Sequence, residues 1–272
     1  MLRNSIFLLL ILGGTLSLLA QQRVDFIGNK VFSSDALLEK LNTCVAKSQE
    51  PEGKNAARVR DYCLQMDVRR FMWSQGYMEA KLSNLKDPNG DRSLNVVISV
   101  DEGIRYRLGN IQIKGSDAFT PEQLREKLSL KTGDIADGKV ISDWAFEKIK
   151  NLYADEGYLQ SNTEFDPIFR RDPANPNEGI VDLKVEVEEG RQFTLRRIEF
   201  DGNAYVRDRI LRDAMITKEG DIFSQKLLDE SIKKLNQTGL FEHIDKDKDL
   251  EFNVDEQSFD VDILVRVTER HR

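Results

Sequence analysis

From Val24 onward the chain moves repeatedly between two hydrophobic rhythms, one of period two and one with the spacing of a helix. Three short stretches alternate apolar with polar positions and then meet a glycine: Val24-Asp25-Phe26-Ile27-Gly28-Asn29, Ile111-Gln112-Ile113-Lys114-Gly115 and Ile198-Glu199-Phe200-Asp201-Gly202-Asn203. Such alternation predicts a strand with one covered face, and the glycine predicts a turn at its end. The three glycines stand 87 residues apart. Further positions recur at the same interval. Lys131, Gly133, Asp134 and Ile135 return as Lys218, Gly220, Asp221 and Ile222, and Leu124 and Leu128 return as Leu211 and Met215. Agreement at so many places makes the interval an internal repeat.

After its first strand each copy carries helical spacing. In the second copy Thr120 is a suitable N-cap and Pro121 suits the first helical position, with Leu124 and Leu128 on one face. A second helix follows on Ile141, Ala145, Ile149 and Leu152 and stops at Gly157-Tyr158. The third copy offers Ser224 as a cap, Leu228, Ile232 and Leu235 as a stripe, and Gly239-Leu240-Phe241 as a stop. In the first, Leu64, Val68 and Phe71 lead to Gly76-Tyr77. Glycine followed by a large apolar residue fits a left-handed helix stop. Two strand-like stretches close each copy, the last being the clearest: Leu94–Val100, Ile180–Val187 and Phe259–Val267. Two of these end in an acidic-glycine tail, Asp101-Glu102-Gly103 and Glu188-Glu189-Gly190, and the third in Thr268-Glu269. The expected fold class is α+β, with three tandem β-α-α-β-β modules, each a small mixed sheet covered by two helices.

The first twenty residues read differently. Arg3, the apolar run Ile6–Leu12, Gly13-Gly14 and Ala20 have the layout of a secretory signal peptide. The alternative is an uncleaved anchor, although the stretch is short for a membrane span. The expected division is therefore 1–20 as signal peptide, then modules over 21–103, 104–190 and 191–272. Arg105–Gly109 and Arg191–Thr194 are read as the short connections between modules. In an exported chain Cys44 and Cys63 are expected to pair, with two separate thiols as the alternative.

Charge and chemistry narrow the function. The net charge is −7 with Lys and Arg spread evenly, and there is no basic patch of the kind that nucleic acid requires. No phosphate loop is present, and with two histidines in the chain no nucleophile sits beside a partnered base. No catalysis and no cofactor are expected. The run Asp245–Asp249 with Glu256 imitates part of a calcium loop, but Leu250 stands where such a loop needs glycine. It is read as a polar turn leading into an extended segment, with no metal site. Asp166–Asn177, with three prolines, is read as a long exposed loop.

A first strand ending in glycine, helices joined near Gly-Asp-Ile, stops at Gly-Tyr or Gly-Leu-Phe and a last strand ending Glu-Glu-Gly together resemble the POTRA (polypeptide-transport-associated) domain. Such modules form the periplasmic part of the outer-membrane β-barrel assembly family and its relatives. The resemblance covers about residues 23 to 269. It implies a non-catalytic periplasmic polypeptide-binding or scaffold protein, associated with the outer membrane and without its barrel. Unfolded outer-membrane proteins, or a separate barrel or assembly component, are the implied partners. The alternatives are a membrane-anchored envelope scaffold and a truncated barrel-assembly protein.

The resemblance also implies that the middle strand of each module lies at a sheet edge, able to bind an extended peptide. The candidate residues are Glu79, Ala80, Lys81, Leu82 and Ser83 in the first module, Thr163, Glu164 and Phe165 in the second, and His243, Ile244 and Asp245 in the third.

Overall fold

The structure, a computed structural model, describes residues 23–48, 56–85 and 95–270. The expected signal peptide and residues 49–55, in the middle of the segment between the cysteines, fall outside them. Contacts divide the chain into two compact units, residues 1–69 with 80–102, and residues 70–79 with 103–272.

In the first unit β1 (Arg23–Ile27) leads to α1 (Ser34–Lys47), whose cap is Ser33: its Oγ accepts from the Ala36 N–H at 3.2 Å. A second helical stretch starts as α2 (Ala56–Cys63), passes through a π-helical turn (Leu64–Val68) and continues into α3 (Arg69–Ser74), which from residue 70 onward counts with the second unit. β2 (Lys81–Leu85) and β3 (Asn95–Asp101) complete the sheet in the order β1-β3-β2. Cys44 and Cys63 are joined in a disulfide, which ties α1 to the end of α2. Both cysteines are buried beside Leu37, Leu41, Leu64 and Val68.

The second unit repeats the plan twice. β4 (Arg105–Lys114), α4 (Pro121–Glu126), α5 (Gly138–Asp143), a π-helical turn (Trp144–Lys148), α6 (Ile149–Asp155), β5 (Asn162–Arg171) and β6 (Glu178–Glu188) form one module, with sheet order β4-β6-β5. β7 (Thr194–Asp201), α7 (Asp208–Ala214), α8 (Gln225–Gln237), β8 (Leu250–Asp255) and β9 (Asp260–Arg266) form the next, with order β7-β9-β8. In all three sheets the last strand is central, parallel to the first and antiparallel to the middle one. The expected α+β class with three small mixed sheets is what the chain adopts.

Each central strand buries alternate residues under the helices. Val181, Leu183, Val185 and Val187 on β6 meet Ile141, Ala145, Ile149 and Tyr153, and Val261, Ile263 and Val265 on β9 meet Leu228, Ile232 and Leu235. The π-helical turns follow from spacing. Ile141, Ala145, Ile149 and Tyr153 stand four apart and are all buried. In a regular helix each step of four drifts by about 40°, so four such positions would wind off the sheet. One wider turn takes up most of that drift and keeps them on one face. α8 uses spacings of four and three and remains regular.

Three expectations need correction. Asp166–Arg171 is not loop but the second half of β5, because Phe165 and Phe169 continue the alternation against Val185 and Val181. Only residues 172–177 turn the chain. Arg105–Gly109 is not a connection but the start of β4, which enters the sheet before a bulge between Leu108 and Ile111. Asp182 Oδ1 accepts from the Asn110 N–H at 2.6 Å within that bulge. The third module's middle strand is β8, Leu250–Asp255, rather than the segment at His243–Asp245. After α8 the chain first drops Phe241 and Ile244 into the core, then makes a turn in which Asp249 Oδ2 accepts from the Asp245 N–H at 2.7 Å.

The recurring glycines have a steric reason. Gly115 has φ +78°, and a Cβ there would lie 2.2 Å from the Val187 carbonyl oxygen. Gly28 and Gly202 repeat this against Val100 and Val267. Only glycine allows the central strand to pass so close to the turn.

Candidate binding edges

With the last strand central, every sheet has two outer edges, one on the first strand and one on the middle strand. An unpaired edge offers backbone donors and acceptors to any extended chain.

The first-strand edges of the second unit are closed at their start by the repeated Lys-x-Gly-Asp-Ile motif. Gly133 N–H donates to the Leu108 carbonyl at 2.8 Å, Leu108 N–H to Asp134 O at 2.9 Å and Ala136 N–H to Tyr106 O at 3.0 Å. Gly220, Asp221 and Phe223 make the matching bonds with Leu195 and Phe193. The turn is held by its own aspartate. Asp134 Oδ2 accepts from the Lys131 N–H at 2.7 Å, and Asp221 Oδ2 from the Lys218 N–H at 2.9 Å. Gly133 and Gly220, at φ +91° and +92°, supply the left-handed step. The helix-to-helix connection thus acts as a short extra strand over β4 and β7.

The acidic tails have an equally local role. Glu102 Oε1 accepts from the N–H groups of Lys30, Val31 and Phe32, each at 2.9 Å. Glu189 Oε1 accepts from Asp117 and Ala118 at 2.8 Å, and Glu269 Oε1 from Tyr205 at 2.8 Å and Val206 at 2.7 Å. In each module one carboxylate therefore clamps the loop after the first strand. The sequence displayed these glutamates as strand-end charge, and their role as loop clamps was missed.

The middle strands carry the candidate residues. Lys81, Leu82 and Ser83 lie in β2, and Thr163, Glu164 and Phe165 lie in β5. Glu79 and Ala80 precede β2; the Glu79 carboxylate accepts from the Tyr106 hydroxyl, and burial, together with that contact, pushes the Tyr106 phenol up to about 12. His243, Ile244 and Asp245 lie outside β8 and are not on an edge strand. The edge residues that sequence reasoning missed are Leu250, Phe252 and Val254; their alternation with Glu251, Asn253 and Asp255 was the available signal.

The hydrogen-bond phase of each edge can be read directly. The Asp172 N–H donates to Glu178 O at 3.1 Å, so even-numbered residues of β5 face β6 and Thr163, Phe165, Pro167, Phe169 and Arg171 face outward. The Arg266 N–H donates to Asp249 O at 2.8 Å, so odd-numbered residues of β8 face β9 and Leu250, Phe252 and Val254 face outward. On β2, the outward Leu82 carbonyl accepts from Gln65 Nε2 at 3.3 Å.

The exposed faces near these edges are laced with ion pairs. Arg170 Nε bonds Asp182 Oδ2 at 2.8 Å, and this contact, helped by the Asn110 N–H, holds the Asp182 carboxyl below its ordinary range. Arg196 grips Asp262 through two bonds, at 2.9 and 2.6 Å, and lowers that carboxyl in the same way. Among the described residues no group of three or more histidine, cysteine and acidic side chains is placed to hold a metal. No helix among them is long and apolar enough to cross a membrane.

Comparison with known proteins matches this architecture. A putative outer membrane protein assembly factor of Treponema pallidum is 27% identical over 254 residues, covering 87% of this chain and 29% of its own length. The outer membrane protein assembly factor BamA of Nitratidesulfovibrio vulgaris is 26% identical over 229 residues, covering 80% of this chain and 26% of the relative. The chain thus spans under a third of the curated relatives it matches. The crystal structure of Haemophilus influenzae BamA POTRA3-5 superposes with a TM-score of 0.60 at 25% identity, covering 91% of this chain and 95% of that one. The family model POTRA, described as surface antigen variable number repeat, matches residues 106–190 and 193–270. The chain belongs to the POTRA family.

Proposed function

We propose that this chain is a non-catalytic polypeptide-binding scaffold of outer-membrane protein assembly, working in the periplasm in association with the outer membrane. It receives extended segments of unfolded outer-membrane proteins, or of a barrel or assembly component, as added strands on its sheet edges. Module boundaries at 103/104 and 190/191, and export by residues 1–20, are part of this reading. The observation that supports it most is the strand order. With the last strand central and the start of each first-strand edge in the second unit closed by the Gly-Asp-Ile connection, the middle strands offer a longer row of backbone groups to be paired. Main-chain pairing recognises an extended conformation rather than a fixed sequence, which suits a scaffold that meets many clients.

Site-specific photocrosslinking in the native envelope tests the proposal. A crosslinker at Leu82, Thr163 or Phe252 should capture outer-membrane proteins during their synthesis. Capture of only constant envelope components at all three positions would point to a tethering scaffold without clients.

A further inference from the structure

The second helical stretches of the first two modules correspond at an interval of 81 residues. Leu64, Val68, Met72 and Gly76 return as Ala145, Ile149, Tyr153 and Gly157, all of them buried. At the same interval Cys63 corresponds to Trp144. Trp144 is fully buried and ties its helix to α4, through the Nε1–H donated to the Leu124 carbonyl at 2.8 Å. Cys63 is also fully buried and makes the equivalent tie to α1, through the bond to Cys44. The two ties differ in what they need. A hydrogen bond forms as the helices meet. A disulfide forms only when two electrons and two protons leave the thiols. Access adds a constraint, because exchange with an external disulfide passes through a mixed disulfide and so requires that the sulfur be reached. In the closed unit Cys63 has no exposed surface and Cys44 is 8% exposed, in a core shared with Leu37, Leu41, Leu64 and Val68. An external disulfide reaches these sulfurs only when the helices part.

We infer that Cys44 and Cys63 are the substrate pair of a disulfide-bearing oxidant that acts on the first unit while it is open, and that closure then seals the product against reduction. One cysteine thiolate attacks a sulfur of the external disulfide, forming a mixed disulfide and releasing one thiolate of the oxidant. The other cysteine thiolate then attacks the chain's own sulfur in that bond, and the oxidant leaves as its second thiol. The chain loses two electrons and two protons, and the external disulfide gains them. Burial sets the direction. The reduced unit lacks its helix tie, opens more often and stays within reach of the oxidant, whereas the oxidised unit closes over the bond. The second and third modules carry no cysteine and reach their folds without this step. The inference goes beyond polypeptide binding and does not rest on it. It assigns completion of the first unit to an oxidising compartment.

Hydrogen exchange by mass spectrometry on the full chain, oxidised and reduced, tests this together with the rate of reduction by dithiothreitol. Without the bond, amides of α1 and β3 should lose protection about a hundredfold, the factor that matches loop closure across 19 positions, while β6 and β9 keep theirs. In native buffer dithiothreitol should leave the oxidised chain intact, and urea that opens the first unit should speed cleavage at least roughly tenfold. When the reduced, unfolded chain is diluted into oxidised glutathione, the mixed disulfide should appear before α1 gains protection. Cys44→Ala should stop at that stage, with glutathione held on Cys63. Cleavage as fast in native buffer as in urea would show that the sulfurs are reached in the closed unit. Equal protection of α1 and β3 with and without the bond would show that closure is independent of it. Either result overturns the inference, as does an equal loss of protection in all three modules.

Discussion

The Tyr153 hydroxyl lies 2.7 Å from Glu189 Oε1, inside a carboxylate that also accepts from the Asp117 and Ala118 N–H groups. Tyr153 is fully buried on α6 and Glu189 directly follows β6, so one side chain joins the helix, the end of the central strand and the loop after β4. Burial first, and this bond with it, pushes the Tyr153 phenol far above its ordinary value, which keeps it a donor at every working pH.

Removing that clamp should loosen the module. Glu189→Ala leaves two backbone donors and one phenol without their acceptor, and should cost about 2 kcal/mol in urea unfolding. Tyr153→Phe should cost less, about 1 kcal/mol, since the carboxylate keeps its backbone donors. Glu102→Ala should cost more than Glu189→Ala, because Glu102 is buried and three amides depend on it. Equal losses for the two glutamates would refute the ranking by number of amides held, and no loss for either would refute the clamp.

The disulfide should matter to the first unit alone. Cys44 and Cys63 are separated by 19 positions, and closing a loop of that size contributes about 3 kcal/mol in the chain-entropy account. Calorimetry with a reductant should lower the transition of the unit formed by 1–69 and 80–102 and leave the other in place. A uniform shift of all melting would show that the two units unfold together.

Acid should weaken the second unit through its depressed carboxylates. Asp182 and Asp262 have folded-state values below the unfolded range of about 4. Their contribution is therefore complete above that range and is lost as pH falls through the lowered folded values. The melting temperature should stay level from neutral pH to about 5 and decline below about 4. Asp182→Asn should flatten the decline; an unchanged profile would remove the Arg170 pair from the account.

Trp144 sits fully buried at the start of the second π-helical turn, and its Nε1–H donates to the Leu124 carbonyl at 2.8 Å. Trp144→Phe should keep much of the packing and lose about 1–2 kcal/mol with the orphaned carbonyl. Trp144→Ala should lose about 3–5 kcal/mol through the cavity as well. Denaturant midpoints of the two variants separate the terms.

Much of this molecule is written in short-range pattern. The interval between Gly28, Gly115 and Gly202, the caps at Thr120 and Ser224 and the stops at Gly157 and Gly239 are local choices, each set by backbone conformation within a few residues. The pairing of Cys44 with Cys63 followed from their being the only two cysteines of a chain whose first twenty residues read as a signal peptide. The candidate edge was legible in two modules, where Leu82 and Thr163 begin recognisable strands, and displaced in the third. There Asp245–Asp249 folds on itself before β8 starts, a turn set by side-chain bonds between Asp245 and Asp249 that alternation does not register.

By itself the sequence determined the repeat, the order of strands and helices and the class of fold, because periodicity and capping act between near neighbours. Only the tertiary structure decided which edges are open. That depends on the last strand entering the centre of each sheet, on Gly133 and Gly220 lying over β4 and β7, and on Pro167 pointing its ring nitrogen away from β6. These are pairings between residues distant in the chain, whose phase is set by hydrogen bonds across the sheet and not by the residues along it.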